Sequence, residues 1–171
     1  MILEYRLAKS IMENEDGLNH LWIRLSGTDP YDRKRVQMNI NMPDGLLRLP
    51  NLNGCSEDPA GKMELAQSDD ILLEVYTEDQ VACGVYMISV DISYLDVRNP
   101  LRMMLIAIPV RLVTEDEMDG VVIDDEVVNR LKQLKGKAAS NETDEINVFG
   151  IRPISVKNEF SFLEQKYRID Y

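Results

Sequence analysis

Between residues 35 and 42 apolar and polar side chains alternate without a break, with Val36, Met38, Ile40 and Met42 set against Arg35, Gln37, Asn39 and Asn41. A period of two sends neighbours to opposite faces, so this stretch predicts a strand with one face buried and the other wet. Residues 86–94 repeat the pattern, with Tyr86, Ile88, Val90, Ile92 and Tyr94 on one side and Met87, Ser89, Asp91 and Ser93 on the other. Shorter versions occur at Leu3, Tyr5 and Leu7 and at Leu21, Ile23 and Leu25, while 46–49 is a short apolar piece and 71–76 a short strand bounded by polar turns. For 7–12 the pattern also permits a helical continuation. Residues 102–113 are nearly all apolar, which predicts a strand covered on both faces for much of its length. Pro109 has no N–H to give a ladder, so that strand is expected deep but near an edge. Turn-forming clusters such as 14–17, 43–45 and 50–54 separate these runs. The prediction is a mainly β fold, an antiparallel β-sandwich of immunoglobulin-like or jelly-roll-like type.

After Val113 the period changes. Thr114 with Glu117 fits a capping box, and Asp124 caps a helix in which Val127, Val128, Leu131 and Leu134 recur at helical spacing up to Gly136. Residues 137–145 are small, polar and charged and read as a flexible connector. Residues 146–171 carry enough apolar and aromatic side chains for a C-terminal β arm. The expected organisation is a sandwich over 1–113, a helical segment packed on it over 114–136, a connector over 137–145 and the arm over 146–171.

Charge narrows the partners. The chain of 171 residues has 19 Lys and Arg against 30 Asp and Glu, a formal charge of −11, so a nucleic acid meets net repulsion. The basic run Arg33, Lys34 and Arg35 sits beside Asp29 and Asp32 and reads as a charged turn. Residues 1–30 hold no uninterrupted apolar run of the kind an export signal needs. The longest apolar stretch, 103–110, is far short of the ~20 residues that span a bilayer, so no membrane insertion is expected. Cys55 and Cys83 stand in unrelated contexts and are expected to be reduced thiols in a cytoplasmic protein.

Candidate chemistry is sparse. One histidine, His20, cannot build the multi-imidazole sites of jelly-roll metalloenzymes, and it reads as a partly buried or capping side chain. Cys83, between Ala82 and Gly84, reads as a small buried thiol rather than a nucleophile paired with His20. No phosphate-cradling glycine loop or nucleophile elbow is present. The nine methionines are expected mostly in the core. Acidic residues gather in predicted loops, and Asp16, Asp29, Asp32, Glu57 and Asp58 are the candidate oxygen ligands for Ca²⁺, although their spacing is not that of an EF-hand.

One resemblance is local. Residues 85–135 contain a strand ending in Ser93 and Tyr94, an apolar strand, then Thr114-Glu115-Asp116-Glu117-Met118 and Ile123-Asp124-Asp125-Glu126-Val127 before a helix. This order is similar to the β-sandwich segment that follows the von Willebrand A domain in some bacterial proteins. It covers less than a third of the chain, lacks that domain's metal motif, and transfers no functional residue. The expected function is therefore a non-catalytic intracellular module for protein interaction or assembly, needing no cofactor. Its partner is a protein, the chain itself through 146–171 being one candidate. The alternative is a calcium-dependent ligand-binding domain, C2-like or carbohydrate-binding-like, using the acidic loops.

Overall fold

The computed structural model describes residues 2–26, 36–65, 70–95 and 101–143. The chain divides into two compact units, Met1–Lys137 and Ala138–Tyr171, and the first of them is the sandwich. Nine strands run in chain order: β1 (Ile2–Leu7), β2 (Met12–Glu13), β3 (Leu18–Ser26), β4 (Gln37–Asn41), β5 (Leu47–Arg48), β6 (Lys62–Glu64), β7 (Asp70–Tyr76), β8 (Gly84–Leu95) and β9 (Leu101–Val113). They form a four-stranded sheet in the order β1-β3-β7-β5 and a five-stranded sheet in the order β2-β9-β8-β4-β6. Every pairing is antiparallel except that of β2 with β9. The mainly β sandwich expected from the alternation is the fold of this chain.

The alternating residues make the core. From the four-stranded sheet come Leu21, Ile23 and Leu25 of β3 with Ile71, Leu73 and Val75 of β7; from the other come Met38, Ile40, Ile88, Val90, Ile92, Ile108, Val110 and Leu112. Each such side chain contributes about 1.5–3 kcal/mol by leaving water. Register is thereby fixed, because a slip of one residue would turn this set outward. β8 and β9 form the longest hairpin, paired from Gly84↔Leu112 to Leu95↔Leu101.

The two sheets are covered differently on their outer faces. A 3₁₀ turn, Glu115–Gly120, follows β9, with the Thr114 N–H donating to Glu117 Oε2 at 3.4 Å as the capping pattern predicts. Helix α1 (Asp125–Thr143) then begins where Asp124 Oδ1 accepts from the backbone of Glu126 at 3.0 Å and Val127 at 3.4 Å. Val127 is fully buried and packs with Ala8 and Leu72, and Trp22, Leu52, Leu131 and Leu134 close around them. Arg130 pins the helix through Asp70, with Nε to Oδ2 at 2.7 Å and Nη2 to Oδ1 at 3.0 Å. The four-stranded sheet therefore has a cover on its outer face, which is why Trp22 and Leu72 point away from the sandwich core without being wet.

Three expectations change. Residues 7–12 form no helix; the strand β1 ends at Leu7 and β2 begins at Met12. α1 runs through Gly136 to Thr143, beyond the stop expected at that glycine and into the stretch expected as a connector. Gly136 is tolerated because its cost inside a helix, roughly 1 kcal/mol against Ala, is smaller than the hydrogen bonds a continuing helix gains. The third change is β9. Leu101, Met103 and Leu105 are 64%, 80% and 70% exposed, so only one face of that strand is covered along this half. The arm expected over 146–171, the basic turn at 33–35, and Asp29 and Asp32 lie outside the described residues.

Candidate protein-docking surface

β9 stands at the position where the five-stranded sheet is least finished. Among the described residues it pairs along its whole length with β8, and on its other side only Leu112 and Val113 have partners, Met12 and Glu13 of β2. The Val113 carbonyl accepts from the Asn14 N–H at 2.9 Å, so the backbone groups of Val113 point toward β2. Direction alternates along a strand. The N–H and C=O groups of Leu101, Met103, Leu105 and Ala107 accordingly point to the same open side, and so does the Pro109 carbonyl. Pro109 sits in phase with them, at the position where a missing N–H costs β8 nothing, which is the edge placement its ring predicts.

The side chains of these residues are the ones that face outward. Leu101, Met103, Leu105, Ala107 and Pro109 form an exposed stripe along β9. Met87, paired with Pro109, and Val85, paired with Arg111, extend it onto β8 at 45% and 64% exposure. Across β4 and β6 the same face turns polar. Asn39 Nδ2 donates to Asn41 Oδ1 at 3.0 Å, and Asn41 Nδ2 donates to Asp91 Oδ2 at 2.8 Å. A groove of about 380 Å³ lies there, lined by Gln37, Asn39, Lys62, Asp91, Ser93 and Met103 among others. The face thus has an apolar half at the open edge and a hydrogen-bonding half behind it. Natural sheets blunt open edges with charge, bulges or covers, and 103–110 carries no charge at all.

Two of the acidic candidates, Glu57 and Asp58, hold loops together. Glu57 is held by Arg48, whose Nη1 and Nη2 each lie 3.1 Å from Oε2, and accepts from Asn51 N–H at 2.9 Å and Asn51 Nδ2 at 2.8 Å. Burial raises its pKa, but these bonds and the Arg48 charge outweigh it and hold the carboxyl below its usual range. Asp58 Oδ1 accepts from the backbone of Ala60 and Lys62, both at 2.9 Å, and closes the turn before β6. Asp16 sits between β2 and β3 with a positive φ of 51°. Among the described residues no three acidic, histidine or cysteine side chains gather as a metal would need. Of the five calcium candidates, Glu57 and Asp58 thus serve loop geometry, while Asp29 and Asp32 lie outside the described residues.

His20 Nε2 lies 3.2 Å from Glu74 Oε1 and is half-buried, as a structural histidine should be. Cys83 is exposed, contrary to the small buried thiol expected, because it lies in the loop ahead of β8 rather than on the strand. Cys55 is half-buried and free. Burial, followed by the charges of Asp70 and Glu57, pushes its thiol up.

The residues that matter most here, Leu101, Met103 and Leu105, were assigned to the interior because a continuous apolar run looks the same whether both faces are buried or one is bare. Pro109 was the signal that pointed to an edge.

No family model matches the chain, and no curated protein does. Among the solved structures to which the chain is similar are the following three. The major pilin subunit BcpA of Bacillus cereus gives a TM-score of 0.39 at 9% identity over 65% of this chain and 40% of that one. A protein of the AAF fimbriae of enteroaggregative Escherichia coli, whose structure is described with fibronectin binding and biofilm formation, gives 0.37 at 11% over 66% and 100%. The SafD adhesin of Salmonella gives 0.38 at 11% over 67% and 100%. The chain spans less than half of the pilin subunit. These neighbours are surface proteins, which corrects the cytoplasmic, intracellular placement expected from the sequence. That expectation rested on the absence of an export signal in residues 1–30, and an absence of this kind does not bear on where a folded domain works.

Proposed function

We propose that this protein is a non-catalytic assembly module that takes an extended strand of a protein partner along the open edge of β9. The observation that carries the reading is the set of outward backbone groups of Leu101, Met103, Leu105, Ala107 and Pro109, without a ladder partner among the described residues and backed by exposed apolar side chains. A strand added there gains ladder hydrogen bonds for affinity and contact with alternate side chains for specificity. Within the chain, the sequence-based candidate for such a strand is the segment 146–171.

Ala107→Pro tests it. The Ala107 N–H points to the open side and serves no bond to β8, so the substitution removes one acceptor-facing donor, as Pro109 already does, and leaves the hairpin intact. An array of nine-residue synthetic peptides is probed with the wild-type chain and with A107P. Uncharged, apolar-rich peptides should bind the wild type, and A107P should bind them at least tenfold more weakly with an unchanged far-UV circular dichroism spectrum. Equal binding by A107P refutes strand addition at this edge.

A further inference from the structure

The four-stranded sheet has an open edge of its own, and its chemistry differs from that of β9. Among the described residues β1 has β3 on one side and no strand on the other. The Ala8 N–H donates to the His20 carbonyl at 2.9 Å, so the even-numbered residues of β1 turn their backbone groups toward β3. Leu3, Tyr5 and Leu7 turn theirs to the open side. Beyond Leu7 that side is taken, because the Asp124 N–H donates to the Ala8 carbonyl at 2.9 Å and Lys9 pairs with Ile123. The free stretch therefore runs from Leu3 to Leu7, with Tyr5 at its midpoint.

The side chains select what fits there. Leu3 and Leu7 pack at the rim of the core, and Tyr5, in phase with them, is 40% exposed. On the opposite face Glu4 and Arg6 stand one to each side of Tyr5. Charges on an edge turn away apolar strands, but these two are placed symmetrically and with opposite sign. A second β1 laid antiparallel, Tyr5 against Tyr5, sets Glu4 of each copy opposite Arg6 of the other and Leu3 opposite Leu7. All three outward residues then fall in pairs that exchange N–H and C=O both ways, and the charges fall in the alternate pairs, where side chains come closest. Centring the pairing on Glu4 or on Arg6 instead sets like charges directly opposite, which is destabilising. Arg6 can accept the added carboxylate while keeping Asp124 at 3.1 Å and Glu126 at 3.3 Å, because a guanidinium has five donors. On its other side Glu4 has Arg24 of β3, so the signs alternate across the joined sheet. We infer that β1 is a homodimer contact, in which two copies of this chain join their four-stranded sheets across a two-fold axis at Tyr5. The contact is isologous and closes at two copies.

Two measurements on the full chain test the contact and its register. In light scattering under reducing conditions the wild-type mass should rise with concentration from one chain toward two. Glu4→Arg sets like charges opposite each other in both halves of the contact and should need at least tenfold more protein to do the same. The second measurement replaces Cys55 and Cys83 by Ser and then introduces either Tyr5→Cys or Ile2→Cys, each equilibrated in a glutathione redox buffer and run on a non-reducing gel. Position 5 meets itself at a Cα separation of about 5.5 Å, within disulfide range, whereas the two copies of position 2 lie about 20 Å apart along the strands. Tyr5→Cys should therefore link into covalent dimers and Ile2→Cys, although exposed, should not. A wild type that stays at the mass of one chain at every concentration overturns the inference. So does a folded Glu4→Arg that dimerises like the wild type, or equal linking by the two cysteines. Should circular dichroism show Glu4→Arg to be unfolded, the wild-type mass and the cysteine pair decide the matter.

Discussion

Asp70→Asn is the substitution whose cost can be worked out most fully. Asp70 opens β7 and is 9% exposed. Its Oδ2 accepts from Trp22 Nε1 at 2.8 Å and Arg130 Nε at 2.7 Å, and its Oδ1 accepts from Arg130 Nη2 at 3.0 Å and Asn53 Nδ2 at 3.3 Å. Every one of these partners is a donor. An amide in place of the carboxylate turns one of the two oxygens into an NH₂ group, so whichever way it is flipped it confronts two donors and loses two bonds. Hydrogen bonds to a charged group are worth about 1.5–3 kcal/mol each, and the Arg130 side chain, 24% exposed, recovers part of the loss from water. The expected destabilisation is about 2–4 kcal/mol. With a urea m-value of about 2 kcal/mol/M, the unfolding midpoint should fall by about 1–2 M. Trp22 is the single tryptophan and its indole N–H donates to Asp70, so its fluorescence reports both the local change and global unfolding. Combined with Arg130→Ala in a double-mutant cycle, the coupling should be about 1–3 kcal/mol. A loss below about 0.5 kcal/mol, the range of ordinary surface substitutions, would refute the claim that this cluster clasps α1 to the sheet.

Other outcomes follow from the same kind of reasoning. Gly17→Ala should destabilise by more than about 2 kcal/mol in a urea titration, because an added Cβ would overlap the Glu13 carbonyl oxygen, a backbone atom that cannot move aside. Glu57 has a folded pKa below its unfolded value, so its contribution is present above the unfolded pKa and fades as pH falls through the folded one. The wild-type minus Glu57→Gln difference in urea midpoint should accordingly be steady near neutral pH and shrink below about pH 4.3. A difference that does not change on acidification sinks that assignment. Val127→Ala should cost about 1–3 kcal/mol by opening a cavity under α1, read as a lower midpoint with an unchanged m-value.

Much of the fold was legible because burial acts directly on side-chain period. The alternation at 36–42 is β4, and that at 86–94 lies within β8; Asp124 starts α1, and the Thr114 pattern marks the 3₁₀ turn. Strands β2, β5 and β6, two or three residues each, are too short to carry a period and exist through their partners. The end of α1 was misplaced because a glycine weakens a helix without forbidding it. The Asp70–Arg130 pair joins residues 60 positions apart, which no local pattern announces. The acids at 57 and 58 were visible, but their use as acceptors for Arg48, Asn51 and a turn depends on contacts that only the folded loop brings together.

The two-residue strand β2 has a further consequence. It lies parallel beside Leu112 and Val113 and closes one end of the β9 edge while leaving the other open. A strand seeking a ladder can shift along its neighbour in steps of two residues, about 7 Å, with little change in hydrogen bonding. On an edge bare at both ends such shifts would blur the register of a strand added as proposed above. Here β2 is an end stop that forbids movement in one direction. Met12 and Glu13 would in this way act as a ruler, setting the register of a strand added to this edge without themselves contributing to the grip.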